Sequence, residues 1–127
     1  MSDNNHNQPY PTLSTEDLIA GLAPGSNCVL VDVQATLILR GAAAVPALLA
    51  ALDAENIHIA TNAAAVLGRI GDQRATGPLI ELLTAFEWTL REQAAIALGR
   101  IADPVALPHL QQAQQSDNTP AVRRAAT

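Results

Sequence analysis

AAAVLGRIGDQRATGPLIELL, residues 63–83, returns 31 positions later within REQAAIALGRIADPVALPHL, residues 91–110. Ala63, Ala64, Leu67, Gly68, Arg69, Ile70, Asp72, Ala75 and Leu79 recur as Ala94, Ala95, Leu98, Gly99, Arg100, Ile101, Asp103, Ala106 and Leu110. A short fixed period built from apolar residues at helical spacing is the mark of stacked helix pairs, because no single pair can bury its apolar face alone. The chain therefore reads as all-α, a right-handed α-solenoid of about eight helices.

Each pair has a first (A) and a second (B) helix. The A helices are expected over 57–70 and 88–101. Ile59, Ala63, Val66, Leu67 and Ile70 make one face of the first, and Leu90, Ala94, Ala97, Leu98 and Ile101 one face of the second. The B helices are expected over 43–53, 73–84 and 104–115, around Leu48, Leu49 and Leu52, then Leu79, Ile80 and Leu83, then Leu110. Asp72 and Asp103 stand where a B helix starts, and a carboxylate there accepts from free backbone N–H groups. Pro104 follows Asp103 at a position where proline is tolerated. Gly68 and Gly99 interrupt helical pattern at about 1 kcal/mol each. Their recurrence points to close helix contact at both places.

Outside the regular copies, residues 1–12 (MSDNNHNQPYPT) are too polar to bury much and are expected to be a disordered tail. Residues 13–41 read as a degenerate capping unit with helices over 14–22 and 27–40. Ser14 with Asp17 starts the first, Leu13 staples against Leu18, and Pro24-Gly25 stops it. Residues 42–127 hold the regular repeats, the last opening at Pro120 and cut short.

These repeats resemble HEAT-like repeats of the phycobilisome-lyase type, whose phrase R-x-x-A-A-x-A-L-G-x-I-x-D-x-x-A-x-P-x-L is close to 91–110, and AVRRAA (121–126) is similar to the opening of another copy. The resemblance covers roughly residues 41–127. It implies the solenoid fold and relatives that include bilin-attaching lyase subunits, assembly factors and protein-binding domains. Two enzymatic relatives fail residue by residue. The di-iron hydroxylases need repeated His-Glu pairs, whereas His6, His58 and His109 are followed by Asn7, Ile59 and Leu110. The HEAT-like DNA glycosylases need a surface dense in cations and aromatics.

Composition narrows the function further. The net charge is −5, the seven cations are all Arg, and Tyr10, Phe86 and Trp88 are the only aromatics. Neutralising phosphates takes clustered cations, so nucleic acid is not expected as a partner. There is no signal-peptide pattern and no uninterrupted apolar run of membrane-spanning length, so no membrane association is expected and the location reads as cytoplasmic. The histidines share no ligand spacing with Cys28 or any carboxylate pair, and neither a nucleophile-base arrangement nor a phosphate loop presents itself. No catalytic residue, metal or cofactor is expected.

What remains is a non-catalytic scaffold or assembly module that binds another protein. The alternative is an accessory subunit or chaperone of bilin attachment. The binding surface is expected along the B helices, the concave side of such stacks, at positions that avoid the Leu core: Ala43, Ala47 and Ala50, then Arg74, Pro78 and Glu81, then Val105, His109 and Gln112. Arg74 and Glu81 are expected to tolerate reversal without loss of stability. Phe86 and Trp88, together in a turn between repeats, read as junction filler or as a binding anchor. Arg69, Arg91 and Arg100 with Asp72 and Asp103 are expected to form caps and an inter-repeat ion-pair ladder. The chain is expected to be a monomer with weak end-to-end self-association.

Overall fold

The computed structural model describes residues 14–22, 30–117 and 119–126. The tail at 1–12, the Leu13 staple, the Pro24-Gly25 stop and Cys28 lie outside these, as does the Asp17 side chain. The helices run α1 Thr15–Ala20, α2 Leu30–Arg40, α3 Val45–Ala51, α4 Ile57–Ile70, α5 Thr76–Leu82, α6 Trp88–Ile101, α7 Leu107–Ser116 and α8 Pro120–Ala125. No strand occurs among the described residues. The architecture is an all-α solenoid, with α4 and α6 as successive A helices and α3, α5 and α7 as B helices.

Each A helix starts and stops for a local reason. The Asn56 side chain accepts from the N–H of His58 (2.9 Å) and Ile59 (3.4 Å), capping α4. Gly71, in the left-handed region at φ 78°, closes it by donating to the Leu67 carbonyl. One repeat later Ala102 makes the same closure at φ 60°, although its Cβ is unfavourable there.

Asp72 and Asp103 do cap, but one step earlier than expected. Their carboxylates accept from the N–H of Arg74 (2.9 Å) and Val105 (3.0 Å), each at the start of a 3₁₀ turn, Gln73–Ala75 and Pro104–Ala106. A third such turn, Gly41–Ala44, precedes α3, and the α-helices begin only after these turns.

A continuous core of Leu, Val and Ala runs through the stack from Leu18 and Leu22 of the α1 segment to Ala126. It is tightest between α4 and α6. A Cβ placed on Gly68 would lie 2.6 Å from the Ala97 Cα, so the close approach inferred from the repeated glycine is real there. At Gly99 it is not. Nothing among the described residues lies within 4 Å of a Cβ at that position, which is exposed.

Of the expected inter-repeat ion pairs, the one from Arg91 forms, with Asp117 rather than with Asp72 or Asp103, and those from Arg69 and Arg100 do not. Asp72 pairs with Arg74 of its own turn at 2.9 Å, and Arg91 pairs with Asp117 at 2.9 Å. Arg69 and Arg100 are exposed and make no ion pair among the described residues. The physical reason is that both aspartates face the backbone of the turn that they cap.

By length and composition, Val33–Ala51 is apolar enough to cross a membrane. Gly41 at φ 58° and the 3₁₀ turn after it divide the stretch into α2 and α3. Val33, Leu37, Ala44, Val45 and Leu48 of these segments are buried in the solenoid core.

Candidate functional site

The A and B layers pack differently. Small residues bring α4 and α6 together, whereas α5 meets the next B unit mainly at the 3₁₀ turn before α7. Beyond that turn α5 and α7 leave a groove of about 200 Å³. Ile80, Leu83 and Ala113 supply its apolar part, and Thr84, His109, Gln112, Ser116 and Asp117 its polar part. The volume suits one large side chain of a partner rather than a buried small molecule, for which pockets of roughly 300–1,000 Å³ are usual.

One end of this groove is held by a network centred on Arg91. Its guanidinium donates to Asp117 (2.9 and 3.4 Å), to the Thr119 hydroxyl (3.0 Å), and to the carbonyls of Ala85 (2.8 Å) and Phe86 (3.0 Å). Asp117 also accepts from the Thr119 N–H, and Arg123 donates to the Asp117 carbonyl. The Arg91 and Asp117 side chains are only 14% and 8% exposed. Two successive turns between repeats are thereby tied to one cation.

This arrangement fixes the backbone of Phe86 while leaving its ring in solvent. Phe86 is 95% exposed and Trp88, the first residue of α6, 45% exposed. Phe86 therefore does not fill the repeat junction; the Arg91 network and the core leucines do. An immobilised backbone carrying an exposed aromatic ring suits a binding anchor, since little backbone freedom is lost when the ring is covered.

The other sequence-selected positions divide between groove and edge. His109 and Gln112 line the groove and are exposed. Glu81 is exposed on α5 at the position that Gln112 takes on α7. Pro78 is half-buried, and Ala43, Ala50 and Val105 are exposed. Arg74 lies apart, at the opposite edge of the repeat. It donates to both Asp72 oxygens (2.9–3.3 Å) and to the Ala42 carbonyl of the preceding repeat (3.1 Å). Its side-chain bond and its backbone N–H hold the Asp72 carboxyl below the usual range, and Asp72 in turn raises the Arg74 guanidinium. Reversing Arg74 would break a link between repeats, so the expectation that it is freely replaceable is revised.

Sequence reasoning missed Thr84, Ser116 and Asp117. A signal for Asp117 was present: Arg91 occupies the place of Ala60, which is buried in the preceding copy. A cation entering such a position needs an acid within reach. Among the described residues no three His, Cys, Asp or Glu side chains converge as a metal site would require.

Comparison with known proteins gives a family and a set of relatives. A family model described as HEAT repeats matches residues 40–127. The chain is 40% identical over 85 residues to phycocyanobilin lyase subunit beta of Thermosynechococcus vestitus, covering 67% of this chain and 39% of that protein. It is 41% identical over 75 residues to phycocyanobilin lyase subunit alpha of Picosynechococcus sp., covering 54% and 28%. Among solved structures, the complex of CpcE and CpcF of phycocyanin lyase from Nostoc sp. PCC7120 is similar, with a TM-score of 0.63 at 28% identity over 99% of this chain and 55% of that one. The matched segments thus span well under half the length of these two curated relatives.

Proposed function

We propose, on the premise that the chain belongs to the HEAT-repeat family and is of its phycobilisome-lyase type, that it is a non-catalytic protein-binding module. The partner polypeptide lies on the B layer, over the α5–α7 groove, with Phe86 and Trp88 as apolar anchors at the groove's end. One observation carries this reading: Phe86 is 95% exposed although its backbone is pinned by Arg91 beside the groove. Covering this ring by a partner would remove its apolar surface from water, which favours the bound state.

The test is capture of a partner from the native host by the purified chain, followed by comparison with Phe86→Ala and with the pair His109→Ala and Gln112→Ala. All three positions are exposed, so thermal stability should be nearly unchanged while capture weakens at least tenfold. Capture that survives all three changes would place the partner elsewhere.

A second reading, an accessory subunit of a bilin-attachment system, is favoured by the 40% and 41% identities to phycocyanobilin lyase subunits. Mixing the chain with phycocyanobilin and following the visible absorption tests it directly. A spectrum identical to that of the free pigment would count against it. In either reading the chain is a monomer at micromolar concentration with weak end-to-end association, supported by the uncovered surface at Gly99. A tight dimer by light scattering at low micromolar concentration would overturn that.

A further inference from the structure

The charges of this chain are segregated by layer. The three segments 45–56, 76–87 and 107–117, each a B helix with the turn after it or the residue closing it, contain Asp53, Glu55, Glu81, Glu87 and Asp117 and not one Arg or Lys. These five acids equal the whole net charge of −5; the remainder of the chain is balanced. Four of them, Asp53, Glu55, Glu81 and Glu87, are exposed and form no ion pair among the described residues. Asp117 is taken up by Arg91. On the other layer Arg69 and Arg100, exposed on the A helices α4 and α6, form no ion pair among the described residues.

Resting on the B-layer reading above, we propose that the segment seated there is a cationic amphipathic helix, bearing Lys or Arg on its flanks and one bulky apolar residue on its inner face. The apolar residue enters the groove between α5 and α7, whose 200 Å³ is floored by Ile80, Leu83 and Ala113. The flanking cations meet Glu81 beside the groove and the acids of the turns, Asp53 and Glu55 before α4 and Glu87 before α6. A single-sign field over this layer steers such a helix to it and repels an acidic one, while the groove and Phe86 supply the short-range contact.

The experiment uses three synthetic probes: a Leu/Lys amphipathic helical peptide with a single Phe, the same peptide with every Lys replaced by Glu, and polylysine of equal charge. Trp88 is the only tryptophan and stands beside Phe86, so its emission reports occupancy without a label. The cationic helix should bind at least tenfold more tightly than its acidic counterpart, and raising the salt to about 0.5 M should weaken it severalfold. The quadruple variant Asp53→Asn, Glu55→Gln, Glu81→Gln and Glu87→Gln should lose on the order of tenfold with its melting temperature unchanged. Arg69→Gln with Arg100→Gln should change nothing. Equal binding of the acidic peptide, or full binding by the quadruple variant, overturns the proposal. So does polylysine binding as tightly as the amphipathic helix, since charge alone would then suffice. In capture from the host, a partner lost by Phe86→Ala but kept by the quadruple variant refutes the cationic helix alone. A partner kept by Phe86→Ala and by the pair His109→Ala and Gln112→Ala refutes the underlying B-layer reading.

Discussion

Gly68 and Gly99 occupy the same position in successive repeats, and replacing each by alanine should move stability in opposite directions. A methyl group on Gly68 would sit 2.6 Å from the Ala97 Cα and 2.8 Å from its Cβ. Carbon atoms rest about 3.5–4.0 Å apart, so α4 and α6 must separate by about 1 Å at their tightest point. The obstacle is helix backbone, which cannot swing aside as a side chain does. Overpacking of this kind costs about 1–3 kcal/mol, and the upper half of that range applies here. The better helix propensity of alanine returns about 1 kcal/mol, leaving a net loss of about 1–2 kcal/mol. For a chain of this size that lowers the melting temperature by about 4–8 °C. Gly99→Ala meets nothing within 4 Å and lies exposed, so only the propensity gain of up to about 1 kcal/mol should appear. Urea unfolding followed by circular dichroism measures both. Gly68→Ala as stable as the parent, or two changes of the same sign, would refute the argument that the A layer is closed by this glycine.

Other consequences concern single residues at odds with their surroundings. Ala102→Gly should stabilise by about 0.5–1 kcal/mol, since it removes a Cβ from the left-handed region at φ 60°; calorimetry would detect the rise in melting temperature. Thr76 is 4% exposed and its hydroxyl has no hydrogen-bond partner among the described residues, whereas the equivalent position one repeat earlier is the buried Val45. Thr76→Val should therefore stabilise by about 1 kcal/mol in denaturant unfolding, and a loss would mean that the hydroxyl has a partner after all. The Asp72 carboxyl is held low by Arg74, so its contribution is complete above the ordinary carboxylate value. It is lost as pH falls from there through its depressed folded value. Asp72→Asn keeps a capping oxygen but cannot titrate, and should be less acid-sensitive than the parent in unfolding measured across that range.

The repeat phrase was sufficient for the architecture because each copy states the same local preferences: an apolar stripe at 3.6-residue period and a capping Asp. Those are short-range effects, and they located α4 at 57–70 and α6 at 88–101 to the residue. The exposure of His109 and Gln112 was also legible, since a face that avoids the leucines has to point away from the core, whereas for Phe86 and Trp88 the sequence left junction filler and anchor open. Whether an internal symmetry is realised depends on what stands across from each copy, and that is a tertiary matter. Gly68 meets Ala97 while Gly99 meets nothing, and Asp72 turns to Arg74 rather than to a neighbouring repeat. Arg91 reaches Asp117, 26 residues away, and with it defines the groove end and the pose of Phe86. Helical period and capping are properties of neighbouring residues, so the chain order carries them. The pairing of long, flexible side chains across a turn depends on distances that exist only once the helices have packed.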